Sequence, residues 1–160
     1  MNYHAIKKCN MTNGDGLRVV LFVSGCCHHC KGCHNPETHD PNSGIPFDEN
    51  AKNELYDELN KDWCTGITLS GGDPLFASNR KEILNLVKDI KLKFPKKNIW
   101  LYTGYTYDEI KNMPDALEII KYCDVLIDGR FVESLKDYSL KWRGSSNQNI
   151  IYLNKSYKPF

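Results

Sequence analysis

Four cysteines and three histidines fall within fourteen positions, in the stretch "GCCHHCKGCHNPET" from Gly25 to Thr38. Cys26, Cys30 and Cys33 are spaced C-x3-C-x2-C, and Cys27 adds a thiol between them. Thiolates are soft ligands, so three on one loop can take three corners of a zinc site or of an iron–sulfur cluster. Zinc needs a fourth ligand, which His28, His29 or His34 could supply in a closed Cys3His site. A cluster held by three cysteines instead leaves one iron open to an organic ligand, and an open position is what catalysis needs. A disulfide staple is disfavoured, because the seven cysteines are odd in number and the chain reads as cytoplasmic. The N-terminus "MNYHAIKKCN" is not a secretory signal, and no window approaches a membrane-spanning length.

Such a loop needs a rigid frame. The apolar run Leu17 to Val23 ends just before it and reads as a strand buried on both faces of a parallel sheet. Gly66 to Ser70, Asn98 to Thr103 and Cys123 to Asp128 read alike, with Asn149 to Leu153 as a fifth. Between them lie helical patterns. Ile83, Leu86, Val87, Ile90 and Phe94 recur at helical spacing before Pro95, "DENAKNELYDELNKD" is an earlier helix, and Thr106 to Glu109 has the form of a capping box. Strands alternating with helices imply a parallel α/β sheet, and so few units imply an open sheet or an incomplete barrel. Ligands in such folds gather at the C-terminal strand ends. There the cysteine loop would meet "SGGDP" (Ser70 to Pro74), "TGY" (Thr103 to Tyr105) and "DGR" (Asp128 to Arg130).

Bulk properties narrow the class. At 160 residues the chain reads as one domain, residues 1–160, and its net charge of +1 gives no argument for nucleic acid or an anionic membrane as partner. Arg80 to Lys97 holds seven basic and two acidic residues, a local excess of five, which reads as a solvated helix face. Cys9, Cys64 and Cys123 read as packing residues, since a free thiol behaves as a small hydrophobe.

The motifs, in their order, resemble the radical S-adenosylmethionine enzymes, and among them the activating proteins of anaerobic (class III) ribonucleotide reductases. "NGDGLRVVLFVSGCCHHCKGCHNPET", "TLSGGDPL", "LYTGY", "DVLIDGRF" and "WRGSSNQNI" carry the resemblance, which covers nearly the whole chain. It implies an α/β fold of mostly parallel sheet, an incomplete (β/α) barrel of the radical S-adenosylmethionine type. It implies a single 4Fe-4S cluster on Cys26, Cys30 and Cys33, with S-adenosylmethionine chelating the fourth iron. One electron then cleaves the nucleoside, and a 5′-deoxyadenosyl radical takes hydrogen from a backbone glycine of the reductase. The implied nucleoside contacts are Gly32, Cys33 and His34 at the adenine end, and Ser70, Gly71, Gly72 and Asp73 at the methionyl ammonium. Asp128 and Arg130 are implied at the ribose and the methionyl carboxylate. Asp73 stands where the family motif has glutamate, one methylene longer. The implied partners are the reductase itself and a flavodoxin- or ferredoxin-type electron donor. The alternatives are an activator of another glycyl-radical enzyme, such as pyruvate formate-lyase, and a zinc-binding module without catalysis.

Overall fold

The computed structural model describes residues 1–159. The chain opens on β1 (Asn2–Asn10), a strand that the sequence did not announce. Its residues are mostly half-buried or exposed, so neither a continuous apolar run nor a clean alternation marks it. The hydrophobic run becomes β2 (Arg18–Val23), wholly buried. The cysteine loop follows, then the two-residue β3 (Ile45–Pro46) and α1 (Glu49–Leu59), which Asp48 caps by accepting the Ala51 N–H.

From here strands and helices alternate: β4 (Gly66–Gly71), α2 (Arg80–Lys93), β5 (Asn98–Tyr102), α3 (Tyr107–Lys111), α4 (Pro114–Ile120), β6 (Val125–Asp128) and β7 (Asn149–Tyr152). Thr106 and Glu109 close the capping box of α3 as its sequence foretells, and Pro114 opens α4.

One sheet holds all seven strands, in the order β3-β1-β2-β4-β5-β6-β7. It is parallel only in the middle, from β2 through β4 and β5 to β6. Both edges are antiparallel, which corrects the expectation of a mostly parallel sheet. The reason at β7 is connectivity. A parallel strand needs a helical crossover, whereas residues 129–148 form a loop with one 3-10 turn, so the chain re-enters beside the strand it just left. Asp128 pairs directly with Asn149.

The two faces of the sheet differ. Val19, Leu21, Val23, Ile67, Leu69, Ile99, Leu101 and Leu126 point toward Leu55, Leu86, Ile90 and Ile119 of the helices in one apolar core. On the other face Trp100, Val125 and Ile127 form a smaller cluster, with Trp142 and Tyr157 packed over it. Arg18 is fully buried beside Trp100, 5.2 Å from the ring centroid, and donates to Thr68, Asn98 and the Asp15 and Ile67 carbonyls. Burial depresses its pKa to about 10. Among the described residues no helix is long and apolar enough to cross a membrane.

Candidate functional site

The loops leaving β2, β4, β5 and β6 surround one cavity of about 410 Å3. Cys26, Cys30, Cys33 and His34 line it from the cysteine loop, and Ser70, Gly71 and Gly72 from the end of β4. Thr103 and Gly104 follow β5, and Gly129 and Phe131 follow β6. Parallel strands in register place their carboxyl ends side by side, which is why motifs far apart in sequence meet here.

The glycines after β4 are required by close approach. Gly71 has φ +106°, a conformation that side chains strain. A Cβ on Gly72 would stand 2.5 Å from the Gly25 carbonyl and 2.8 Å from that of Thr38. Both carbonyls belong to the cysteine loop, so bare backbone lets that loop lie directly on β4.

The three cysteine sulfurs share a pattern. Cys33 Sγ accepts the Asn35 N–H at 3.4 Å. Cys26 accepts backbone hydrogen bonds from His28 and His29, and Cys30 from Phe131. Burial nevertheless dominates, pushing the Cys26 thiol up to about 11 and the Cys30 thiol upward. Cys27 is exposed and lies 3.2 Å from the Tyr105 hydroxyl, outside the cavity lining. Cys64 and Cys123 are buried in the core, as expected of packing residues, whereas Cys9 is exposed.

Asp73 stands behind the wall. Its carboxylate is 1% exposed, and Oδ2 accepts from His28 Nε2 at 2.9 Å, Thr103 Oγ1 at 2.9 Å and Gly104 N at 3.0 Å. Oδ1 accepts the Leu75 N–H at 2.8 Å. The far side of the His28 ring meets Arg130, whose Nε donates to Nδ1 at 3.0 Å. Nδ1 therefore accepts, Nε2 carries the hydrogen, and the His28–Asp73 contact is a hydrogen bond to a carboxylate. Through His28 the cysteine loop is tied to the ends of β4, β5 and β6 at once.

Of the residues named from the sequence, Gly32, Asp73, Asp128 and Arg130 do not reach the cavity wall. Asp128 accepts from the Tyr107 N–H and from Asn149, fixing the start of α3 and β7. The Arg130 guanidinium is spent on His28 and, at 3.4 Å, on Glu109. Conversely, Thr12, Asn13, Trp142, Arg143 and Gln148 line the cavity and were not singled out individually. For the last three the available signal was the likeness of "WRGSSNQNI" to family members. That segment is a knot held by Gln148, whose Oε1 accepts from Gly144 N and Ser145 N and whose Nε2 donates to the Gly129 carbonyl. Trp142 packs edge-on against Trp100 at 5.0 Å, and Tyr102 Oη donates to its carbonyl.

Residues 12–151 match the family model described as a 4Fe-4S single cluster domain. An anaerobic ribonucleoside-triphosphate reductase-activating protein of Enterobacteria phage T4 is 49% identical over 150 residues, spanning 94% of this chain and 93% of the relative. The chain belongs to the anaerobic ribonucleoside-triphosphate reductase-activating protein family. The Escherichia coli (strain K12) member is 45% identical over 155 residues, 96% of this chain and 99% of its own length. That of Pasteurella multocida is 43% identical over 159 residues, covering 98% and 100%.

The residues present suit the family's group. Among the described residues no three His, Cys, Asp or Glu side chains are grouped to hold a lone metal ion. The cavity wall offers three thiols, each with a backbone N–H at its sulfur, and no carboxylate. Iron supplies the positive charge that thiolate formation in a buried site requires, and N–H groups at sulfur tune such clusters.

Proposed function

We propose that this chain activates an anaerobic ribonucleotide reductase by creating a glycyl radical on it. The observation that carries this reading is that three thiols and a bare-glycine strand end share one cavity in a member of the family. A 4Fe-4S cluster held by these thiols, with S-adenosylmethionine bound and one electron from a flavodoxin- or ferredoxin-type donor, would supply reductive cleavage of the nucleoside to methionine and a 5′-deoxyadenosyl radical able to take hydrogen from the partner's glycine.

The chain's own residues hold and orient. Cys26, Cys30 and Cys33 are the cluster ligands, their backbone N–H partners stabilising the thiolates. Ser70, Gly71 and Gly72 offer backbone to the methionyl ammonium, where a side chain would bar approach. Cys33 and His34 flank the adenine, with the His34 ring packed 5.4 Å from that of Phe131, while Gly32, off the wall, serves the turn that brings Cys33 back to the Cys30 carbonyl. Asp73, Asp128 and Arg130 act at one remove, by fixing the loops that carry those contacts. The fold is an incomplete (β/α) barrel in one cytoplasmic domain. Helices on one face of the sheet, with the site at its carboxyl edge, favour that architecture.

The test is electron paramagnetic resonance. Anaerobically reconstituted protein, mixed with S-adenosylmethionine, a reductant and the reductase, should yield a glycyl radical on the reductase. Cluster reduction without that signal refutes the reading. A signal on pyruvate formate-lyase and none on the reductase would reassign the partner.

A further inference from the structure

Arg143 is the one permanently charged side chain on the cavity wall, which among the described residues carries no Asp, Glu or Lys. One guanidinium nitrogen is anchored, donating to the Gln148 carbonyl at 2.7 Å. Nε is buried and finds no acceptor among the described residues. No carboxylate among them forms an ion pair with this arginine; Asp137, fully exposed on the same loop, feels only its field. A guanidinium presents planar N–H donors that suit a carboxylate, and the Gln148 carbonyl claims only one terminal nitrogen. The neighbours fix its place. Trp142 is pinned to Trp100 and Tyr102, and Gln148 bridges Gly144, Ser145 and Gly129.

Arg130, the cation that the family resemblance implies for this task, is differently disposed. It is exposed, off the wall, and bound to His28 and Glu109. On the S-adenosylmethionine reading given above, we propose that Arg143, delivered by the segment between β6 and β7, is the residue that binds the carboxylate of the nucleoside's amino-acid end. The chemical class it selects is an α-amino carboxylate, against an amine of the same skeleton lacking that group.

The experiment compares two ligands on one protein. Equilibrium dialysis of the anaerobically reconstituted protein measures the dissociation constants of S-adenosylmethionine and of its decarboxylated analogue, S-adenosyl-3-methylthiopropylamine. The ratio of the analogue's constant to that of S-adenosylmethionine reports what the carboxylate contributes, independently of turnover. In Arg143→Gln the ratio should fall about 10- to 100-fold from the wild-type value, as for loss of a hydrogen bond to a charged group. Arg143→Lys keeps the charge but not the fork, and should fall between the two. In Arg130→Gln the ratio should stay at the wild-type value. Iron content and circular dichroism identify any variant that fails to fold; if Arg143→Gln does so, the lysine variant decides. A ratio in the folded Arg143 variant within twofold of wild type overturns the assignment, as does a fall confined to Arg130→Gln. Should wild-type protein bind neither nucleoside, the functional reading itself fails, a result distinct from loss of the Arg143 contact alone.

Discussion

Replacing Asp73 by alanine separates two roles for the acid of the "SGGDP" motif. If Asp73 touches the ligand, as the family motif implies, its loss weakens binding and leaves the fold intact. The hydrogen bonds point the other way. Its carboxylate accepts from His28, Thr103, Gly104 and Leu75 while nearly sealed from water. The Thr103 hydroxyl can rotate, but the His28 ring and two backbone N–H groups would be left facing a small apolar void. At roughly 1–3 kcal/mol for each orphaned buried donor, the loss comes to about 3–6 kcal/mol after some relaxation. That is a large part of the ~5–15 kcal/mol by which an ordinary domain is stable. In urea, with an m-value of about 2 kcal/mol/M, the midpoint should drop by about 1.5–3 M. Asp73→Asn should fall less, by about 1–3 kcal/mol, because its amide keeps one acceptor but turns an N–H toward that of Leu75. The assay is anaerobic urea unfolding of the metal-free protein followed by circular dichroism. A loss under about 1 kcal/mol in Asp73→Ala, with nucleoside binding abolished, would refute the structural role and restore direct contact.

Single replacements Cys26→Ala, Cys30→Ala and Cys33→Ala should each abolish S-adenosylmethionine cleavage and lower bound iron, while Cys64→Ala, in the core, should retain most of both; equal loss in all four would mean that folding had been tested instead. Gly72→Ala should displace the cysteine loop, because the new Cβ meets two backbone carbonyls that cannot rotate away. An overpacking cost of about 1–3 kcal/mol and reduced iron content are expected, and unchanged iron would count against the close approach. Burial raises the Cys123 thiol far above its ordinary 9.0, so the unfolded chain sheds that proton first as pH climbs. The associated stability is complete below about pH 9 and is lost above it. Urea midpoints between pH 8 and 10 should therefore fall less steeply in Cys123→Ala than in wild type, and parallel slopes would contradict the burial argument.

Much of the frame was legible because its signals are local. A continuous apolar run such as "LRVVLFV" has few alternatives to a central strand, and Ile83, Leu86, Val87 and Ile90 share one helix face by spacing alone. The antiparallel strands β1 and β7 were harder. β1 lies half in solvent and so lacks a strong pattern, and the direction of β7 depends on a loop whose path no local preference sets. The motifs at the strand ends were visible, but what each side chain does there was not. Arg130 and Arg143 are both arginines beside glycine in short polar stretches, and only the folded partners separate them. His28 looked like a spare metal ligand, yet its ring spans Asp73 and Arg130, residues far from it in the chain.

Residue identities alone revealed the chemistry on offer: soft thiols at cluster spacing on the first loop after a buried strand, and glycines where backbone must come close. These follow from residue type and short-range spacing, which survive in any conformation. Tertiary structure alone decided which polar groups are used up internally and which remain to meet a ligand. A carboxylate or guanidinium is a free binding group only if no nearby donor or acceptor has claimed it, and that pairing is made between segments tens of residues apart.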